Sequence, residues 1–378
     1  MISDIPSVEN VVDFRAKWKQ FVQKNLKAEF IKPVSMVNSG YLHALNASFD
    51  GLFLREQSTT SLLSASRPMC FGTIQPCARP DDKLAERSSP FHLGLFEICG
   101  TSILGFEHLR PEQATEVTVK EFMTFYKDCL GLDPSCLRVF YFGGASLESI
   151  GRGRVVSQQE LAPDDFSFEI WKSNGLADYQ LIPEYTNDTF LLHVANPLRE
   201  HHSGYRNDIF FEADGVRFEI ATLNFITHRS VIVDGVITEV VPLSFFLREI
   251  AFGQERCLSA IYSSKDVYHL PHVFPLVRAM QALVDDPQMA LYVADAFRVV
   301  HYVVSDGWTL DKLSGRKHRE HRGQLKEFLK VLSKVRAALN DGALRELLFV
   351  NSECQPWYPS LEEGVDATLT EIRSVFGQ

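Results

Sequence analysis

A chain of 378 residues with 45% hydrophobic and 23% charged content is long enough to bury two domains, and too apolar to be disordered throughout. Its formal net charge of −10 excludes indiscriminate coating of nucleic acid, while leaving room for a local basic face. Seven cysteines (Cys70, Cys77, Cys99, Cys129, Cys136, Cys257 and Cys354), odd in number and without a Cys-x-x-Cys pair, argue against a disulfide framework and a zinc ribbon and point to reduced thiols.

The N-terminal stretch lacks a basic segment followed by an apolar core, and the longest apolar runs fall short of a membrane span. A cytoplasmic protein with no membrane partner is the expectation. Val8–Lys24 places Val11, Val12, Phe14, Trp18, Phe21 and Val22 at helical spacing, which predicts an opening amphipathic helix. From about Val34 to Val240, short apolar runs alternate with Gly, Pro, Asn and Asp, the texture of an antiparallel sheet. Asp214-Gly215 and Asp234-Gly235 each sit between β-rich runs and predict two-residue hairpin turns. A helical insert is expected over Val117–Cys129. After Ser244 the period turns helical, with candidate helices over Phe246–Tyr262, Val273–Val284, Pro287–Ser305, His321–Leu339 and Leu361–Phe376. Sheet first and helices second predicts an α+β fold, divided into residues 1–265 and 266–378.

Three segments stand out for their chemistry: Gln75–Gly100, Leu137–Gly144 and Glu249–Ile261. Arg79 and Arg256 lie on separate, otherwise apolar elements, and a guanidinium binds phosphate oxygens bidentately at any working pH. Taken singly, each has an ordinary reading. Arg79 reads equally as a salt-bridged strand end, and Gly253-Gln254-Glu255-Arg256 as a plain helix start with an acid favoured by the helix dipole.

Their order along the chain resembles the catalytic domain of alanyl-tRNA synthetases, within the class II synthetases. Val37-Asn38-Ser39-Gly40-Tyr41 stands where that family has Thr-Asn-Ala-Gly-Met. Gln75, Cys77 and Arg79, then His92 and Phe96-Glu97-Ile98-Cys99-Gly100, are similar to its second motif. Tyr141-Phe142-Gly143-Gly144 matches the strand that follows. Glu249-Ile250-Ala251-Phe252-Gly253-Gln254-Glu255-Arg256-Cys257 aligns with its third motif, Asp-Thr-Gly-Met-Gly-Leu-Glu-Arg-Leu. Ala294-Asp295-Ala296-Phe297-Arg298, Ser305-Asp306-Gly307, Gly315-Arg316 and His321-Arg322 resemble the family's helical region, so the likeness covers about residues 10–330.

The resemblance implies a class II synthetase-like antiparallel sheet flanked by helices, followed by a helical C-terminal domain. It also implies ATP with Mg²⁺, and attack of an amino-acid carboxylate on the α-phosphorus to give an aminoacyl-adenylate. Arg79 would hold the α-phosphate and the substrate carboxylate; Arg256 would fold back the γ-phosphate beside the adenine. His92, Phe96, Glu97, Ile98, Glu219 and Gly253 complete the implied ATP site, with Ile98 where the family has an adenine-contacting methionine. Glu219 is the implied Mg²⁺ ligand, and an ordinary outward-facing strand acid otherwise.

The implied amino-acid pocket is Leu191, Ala221, Thr222, Glu249 and Ala251, and it departs from the family. Glu249 replaces the ammonium-gripping aspartate, Ala251 a glycine, Leu191 and Ala221 tryptophans, and Thr222 an asparagine. Such exchanges redirect specificity by roughly 1–3 kcal/mol per methylene, which leaves open a related small amino acid, a β-amino acid, an unusual metabolite or loss of activity. Arg298, Arg316, Lys317, Arg319 and Arg322 are the candidate contacts to a tRNA acceptor stem, and a solvated helix face otherwise. His318 and His321 have ligand-like spacing without further ligands nearby. The acceptor is tRNA, or a small molecule or carrier in a specialised pathway, and a homodimer is implied by the class. The sequence ends before the family's editing domain, so proofreading is not expected. The rival expectation is a non-catalytic paralogue that binds tRNA or a protein partner.

Overall fold

A computed structural model describes residues 7–37, 69–79, 90–105, 110–151, 155–192 and 201–377. Asn38–Tyr41 of the first motif, and residues 80–89, lie outside the described residues. Helix α1 (Val8–Gln20) continues into a π turn over Phe21–Asn25, and Val11, Phe14 and Trp18 form its buried stripe. After the two-residue β1 (Glu29–Phe30) come β2 (Met69–Ala78) and β3 (Leu95–Gly105), then α2 (Pro111–Met123), which starts on a proline as helices favour. β4 (Leu137–Phe142), β5 (Ala145–Ser146), the short α3 (Leu147–Ile150), β6 (Glu160–Leu161), α4 (Asp165–Ser173), β7 (Leu181–Glu184) and β8 (Phe190–Leu192) lead to three long strands. These are β9 (His201–Ala213), β10 (Val216–Val233) and β11 (Val236–Gly253).

Both Asp-Gly pairs form the expected turns. Asp214 and Gly215 have φ of 51° and 75°, Asp234 and Gly235 of 52° and 81°, the left-handed pair a type I′ hairpin requires. The nine-stranded sheet runs β1-β2-β3-β11-β10-β9-β4-β7, with β8 also on β9. Its centre is antiparallel; among the described residues only the edge pairs β1/β2 and β4/β7 of this sheet are parallel. The fold is α+β: a mixed sheet flanked by helices, followed by a helical part.

One face of the sheet is closed by α1, α2 and α4. Phe252 packs on Phe122 at 5.0 Å and on Trp18 at 5.8 Å, and the Trp18 indole donates to the Thr73 carbonyl at 3.0 Å. On the same side Arg248 pairs with Glu121, and Trp171 donates to Asn207 at 2.9 Å. Large aromatics account for much of the apolar area this layer removes from water.

The helix expected over Phe246–Tyr262 is half strand, since β11 persists to Gly253 and α5 covers only Gln254–Ile261. The burial of this stretch alternates, with Ile250 and Phe252 buried and Glu249 and Ala251 partly exposed, but the adjacent apolar residues Phe245, Phe246 and Leu247 and the buried Arg248 blur that alternation in the sequence. The remaining helices are α6 (Phe274–Gln281), α7 (Pro287–Ser305), α8 (Arg319–Ser333), α9 (Asp341–Glu353), α10 (Ser360–Glu363) and α11 (Val365–Phe376). α9 was not anticipated, although Asn340 caps it by accepting from the Ala343 N–H at 3.1 Å, a signal present in the sequence. The change of texture is real, yet residues before and after 265 share one core, from Leu95 and Phe252 through Phe297 to Leu325 and Ile372. All seven cysteines are free thiols.

Candidate active site

The face of the sheet away from α1 and α2 gathers residues far apart in sequence. Register pairs Ile98 with Gly253, Gly100 with Ala251 and Ser102 with Glu249 across β3 and β11. Ala251 and Glu249 face Thr222 and Asn224 on β10, which in turn face Asp208 and Arg206 on β9. Paired residues point to one side of a pleated sheet, so these form two polar rows with Gly100, Ala251 and Thr222 as a floor of small side chains. Leu191 on β8 pairs with Gly204 and joins the same side.

At one end of this face stand the two arginines. Arg79 leaves β2, donates its backbone N–H to the Gly94 carbonyl at 3.0 Å, and sets its guanidinium 5.2 Å from the Phe96 ring centroid. Arg256, in the first turn of α5, donates Nε to the Phe91 carbonyl at 3.1 Å. Its Nη1 reaches both the carbonyl and Oε2 of Glu219, each at 3.2 Å. Phe91 is fixed by stacking on Phe218 at 4.1 Å. Between the arginines lie Phe96 and Ile98, with His92 half-buried nearby, its carbonyl accepting from the Tyr268 hydroxyl at 3.3 Å. Gly253 lies under Arg256: a Cβ there would meet that side chain at 3.5 Å.

Glu219 links two cations, because its Oε1 accepts from Arg206 Nη2 at 3.2 Å. A bulge opposite Phe210 and Ile209 inserts an extra residue after Glu219, which keeps Glu219 and Thr222 on one face although three positions apart. Arg206 also binds Asp208 at 2.5 Å. Burial, only partly countered by Arg206 and reinforced by Glu219 and Glu184, pushes the Asp208 carboxyl up to about 7. A folded-state pKa raised above an unfolded value of about 4 means the folded chain binds the extra proton, so this group's stabilisation is full below about pH 4 and is lost as pH rises through about 7. Asp208→Asn is therefore expected to flatten the fall in urea midpoint between about pH 5 and about pH 7.5. An unaltered slope would contradict the raised pKa.

Further along the face, Glu249 accepts from the Ser102 hydroxyl at 2.9 Å and from Asn224 Nδ2 at 3.0 Å. These two donors orient the carboxylate.

No protein-family model matches the chain, and no curated protein matches it in sequence. Two similar solved structures are both tRNA synthetases. Apo histidyl-tRNA synthetase of S. aureus has 10% identity over 70% of this chain and 69% of its own, with a TM-score of 0.36. The RNA binding domain of threonyl-tRNA synthetase from Cryptosporidium parvum Iowa II has 11% identity over 67% and 65%, with a TM-score of 0.38.

Three expected site residues lie elsewhere. Ala221 is 3% exposed and faces the helix layer, because the bulge after Glu219 turns it opposite Ile209 and Phe252. Glu97 points away from Phe96 and Ile98, as alternate strand residues must, into a buried group with Arg15, Gln254 and Tyr358. Burial works to raise its carboxyl, but the Arg15 guanidinium and the Tyr358 hydroxyl outweigh that and hold it below the usual range. Arg298 is no surface contact for RNA: at 1% exposure it donates to Asp295 at 3.2 Å and to the Leu95 carbonyl at 3.0 Å. Arg316, Lys317 and Arg319 are exposed, whereas Arg322 is half-buried and donates to the Leu310 carbonyl at 3.0 Å. His318 and His321 come within 5.4 Å, ring to ring, but no group of three or more metal-ligating side chains occurs among the described residues. Sequence reading missed Ser102, Arg206, Asp208 and Asn224. The alternation of Arg206 and Asp208 just ahead of a hairpin strand was the available signal, since period two puts both on one face.

Proposed function

We propose that this chain is an ATP-dependent ligase of class II synthetase type, which activates an amino acid as its adenylate and passes the acyl group to an acceptor. The observation that carries the reading is the emergence of Arg79 and Arg256 at one end of a single sheet face, on either side of Phe96 and Ile98. Joining a carboxylate to a triphosphate brings two anions together, so catalysis rests on positioning and on charge already in place. Arg79 would bind the α-phosphate and the incoming carboxylate, and Arg256 the terminal phosphate. Phe96 and Ile98 give the base an apolar surface. Glu249 takes the ammonium, and the Gly100–Ala251–Thr222 floor sets the room for the side chain. The collinear motifs favour the alanyl branch of the class, with Glu249 and Ala251 giving a different pocket from that family's.

Glu219, a half-exposed carboxylate that accepts from Arg256 and Arg206, is the one protein oxygen donor we assign to Mg²⁺, and the phosphates would complete an oxygen shell. When bound, the ion would neutralise phosphate charge. Glu219 would hold it once the phosphates draw Arg256 away.

Exchange of pyrophosphate into ATP, screened over amino acids, is expected to be positive for at least one. Silence with all of them overturns the enzyme reading. In that assay Glu249→Gln is expected to raise KM for the amino acid about 10- to 100-fold, the size of a lost charge-assisted hydrogen bond, with KM for ATP nearly unmoved. Equal rises in both would remove Glu249 from the ammonium role. A second reading, a non-catalytic paralogue that binds tRNA, draws on the exposed Arg316, Lys317 and Arg319. Salt-dependent retention of tRNA without ATP binding would favour it.

A further inference from the structure

Behind the nucleotide end of the face, on the opposite side of β3, lies a buried polar group that the reaction above does not use. Arg15 Nη1 of α1 donates to both oxygens of Glu97 at 2.7 Å and to Gln254 Oε1 at 3.0 Å. Gln254 Nε2 returns to Glu97 Oε2 at 2.5 Å, and the Tyr358 hydroxyl donates to Glu97 Oε1. Arg15 is covered by the Trp357 ring at 4.7 Å and the Tyr358 ring at 5.4 Å. The Glu97 N–H donates to Glu255 Oε2 at 3.0 Å, and the other oxygen of Glu255 faces His272 Nε2 at 3.4 Å.

The placement of this group along the chain gives it a use. Glu97 separates Phe96 from Ile98, and Gln254 and Glu255 separate Gly253 from Arg256. The polar group therefore ties together, from behind, the two backbone stretches whose other faces meet the nucleotide. It does so with side chains from the first helix and from the loop before α10. A buried carboxylate surrounded by donors is stiff, because breaking any one contact strands charge in a low-dielectric interior.

We infer that Arg15 and Tyr358 are positioning residues for the nucleotide end of the site, acting through Glu97 and Gln254 to hold Phe96, Ile98 and Arg256 in register. This rests on the ligase reading. Neither residue touches substrate. Their loss should loosen the ATP end and leave the amino-acid end, anchored by Ser102 and Asn224, in place.

The test uses Tyr358→Phe, which removes one hydroxyl and keeps the ring, with Arg15→Lys and Arg15→Met as a conservative and a neutral pair. Pyrophosphate exchange is followed at varied ATP and at varied amino acid, and backbone amide exchange is followed by mass spectrometry. Tyr358→Phe is expected to raise KM for ATP about tenfold, with KM for the amino acid within about twofold. Amides of residues 96–98 and 253–256 should exchange about tenfold faster, while those of 222–224 stay unchanged. Arg15→Lys should recover part of what Arg15→Met loses. KM values that rise together, or amides at 96–98 and 253–256 that do not respond, overturn the positioning role. A wild-type chain silent with every amino acid sinks the ligase reading alone; the amide exchange of Tyr358→Phe then decides the clamp, sustained by faster exchange and overturned by none.

Discussion

Arg256→Ala is expected to lower the rate of pyrophosphate exchange about 100- to 1,000-fold, the usual effect of removing one preorganised group from developing charge. The magnitude follows from how the side chain is held. Its Nε is committed to the Phe91 carbonyl, so the guanidinium is fixed before any phosphate arrives and little reorganisation remains for the reaction step. Its contact with Glu219 is the one a polyphosphate would displace, and Arg206 stays on the other carboxylate oxygen. Arg256→Lys should restore little, because an ammonium cannot hold Phe91 and a phosphate with one planar fork. Arg79→Ala should act on the same reaction, with loss of the cation over Phe96. ATP binding by calorimetry should weaken in parallel, while the thermal midpoint hardly moves, since Arg256 is only half-buried. A near wild-type exchange rate in Arg256→Ala would detach this arginine from the nucleotide and remove the main support of the ligase proposal.

Arg298→Ala, in contrast, is expected to cost about 3–5 kcal/mol of folding stability, the penalty for leaving a buried charge without its partner. Asp295 would remain beneath β3, where it also accepts from the Gly94 N–H and from the Leu95 N–H at 3.3 Å. The Leu95 carbonyl would lose its donor as well. Urea unfolding should show a lower midpoint with a similar slope, and RNA affinity of the folded protein should not change. A loss below about 1 kcal/mol would mean that water or a rearranged side chain replaces the guanidinium.

What could be read without coordinates was whatever local geometry enforces. Asp214-Gly215 and Asp234-Gly235 fix two turns by backbone conformation alone, and the long strands follow from them. Pro287–Ser305 was legible as a helix because its proline start and its apolar period agree with its burial. Glu249 and Arg256 were found as motif residues, though residues 246–253 of β11 read as helix, since the apolar run Phe245-Phe246-Leu247 and the buried Arg248 mask the alternation of that strand. Ala221 went astray on a single bulge, which shifts parity by one and moves a side chain through the sheet. Arg15 was invisible for a different reason. It lies on a helix read for its apolar stripe, and its partner is 82 positions away. Arg298 matched a motif by type, yet type does not reveal whether a guanidinium faces solvent or a carbonyl.

The meeting of α7 with β3 joins the helical part directly to the sheet. Asp295 and Arg298 complete the backbone valences of the strand just where Phe96 begins, so the tail helices finish the sheet instead of hanging from it. Recombination could not swap this tail for another like beads on a string. Any replacement would have to bring its own acid and guanidinium to the same spot, or leave a strand end bare beside Phe96.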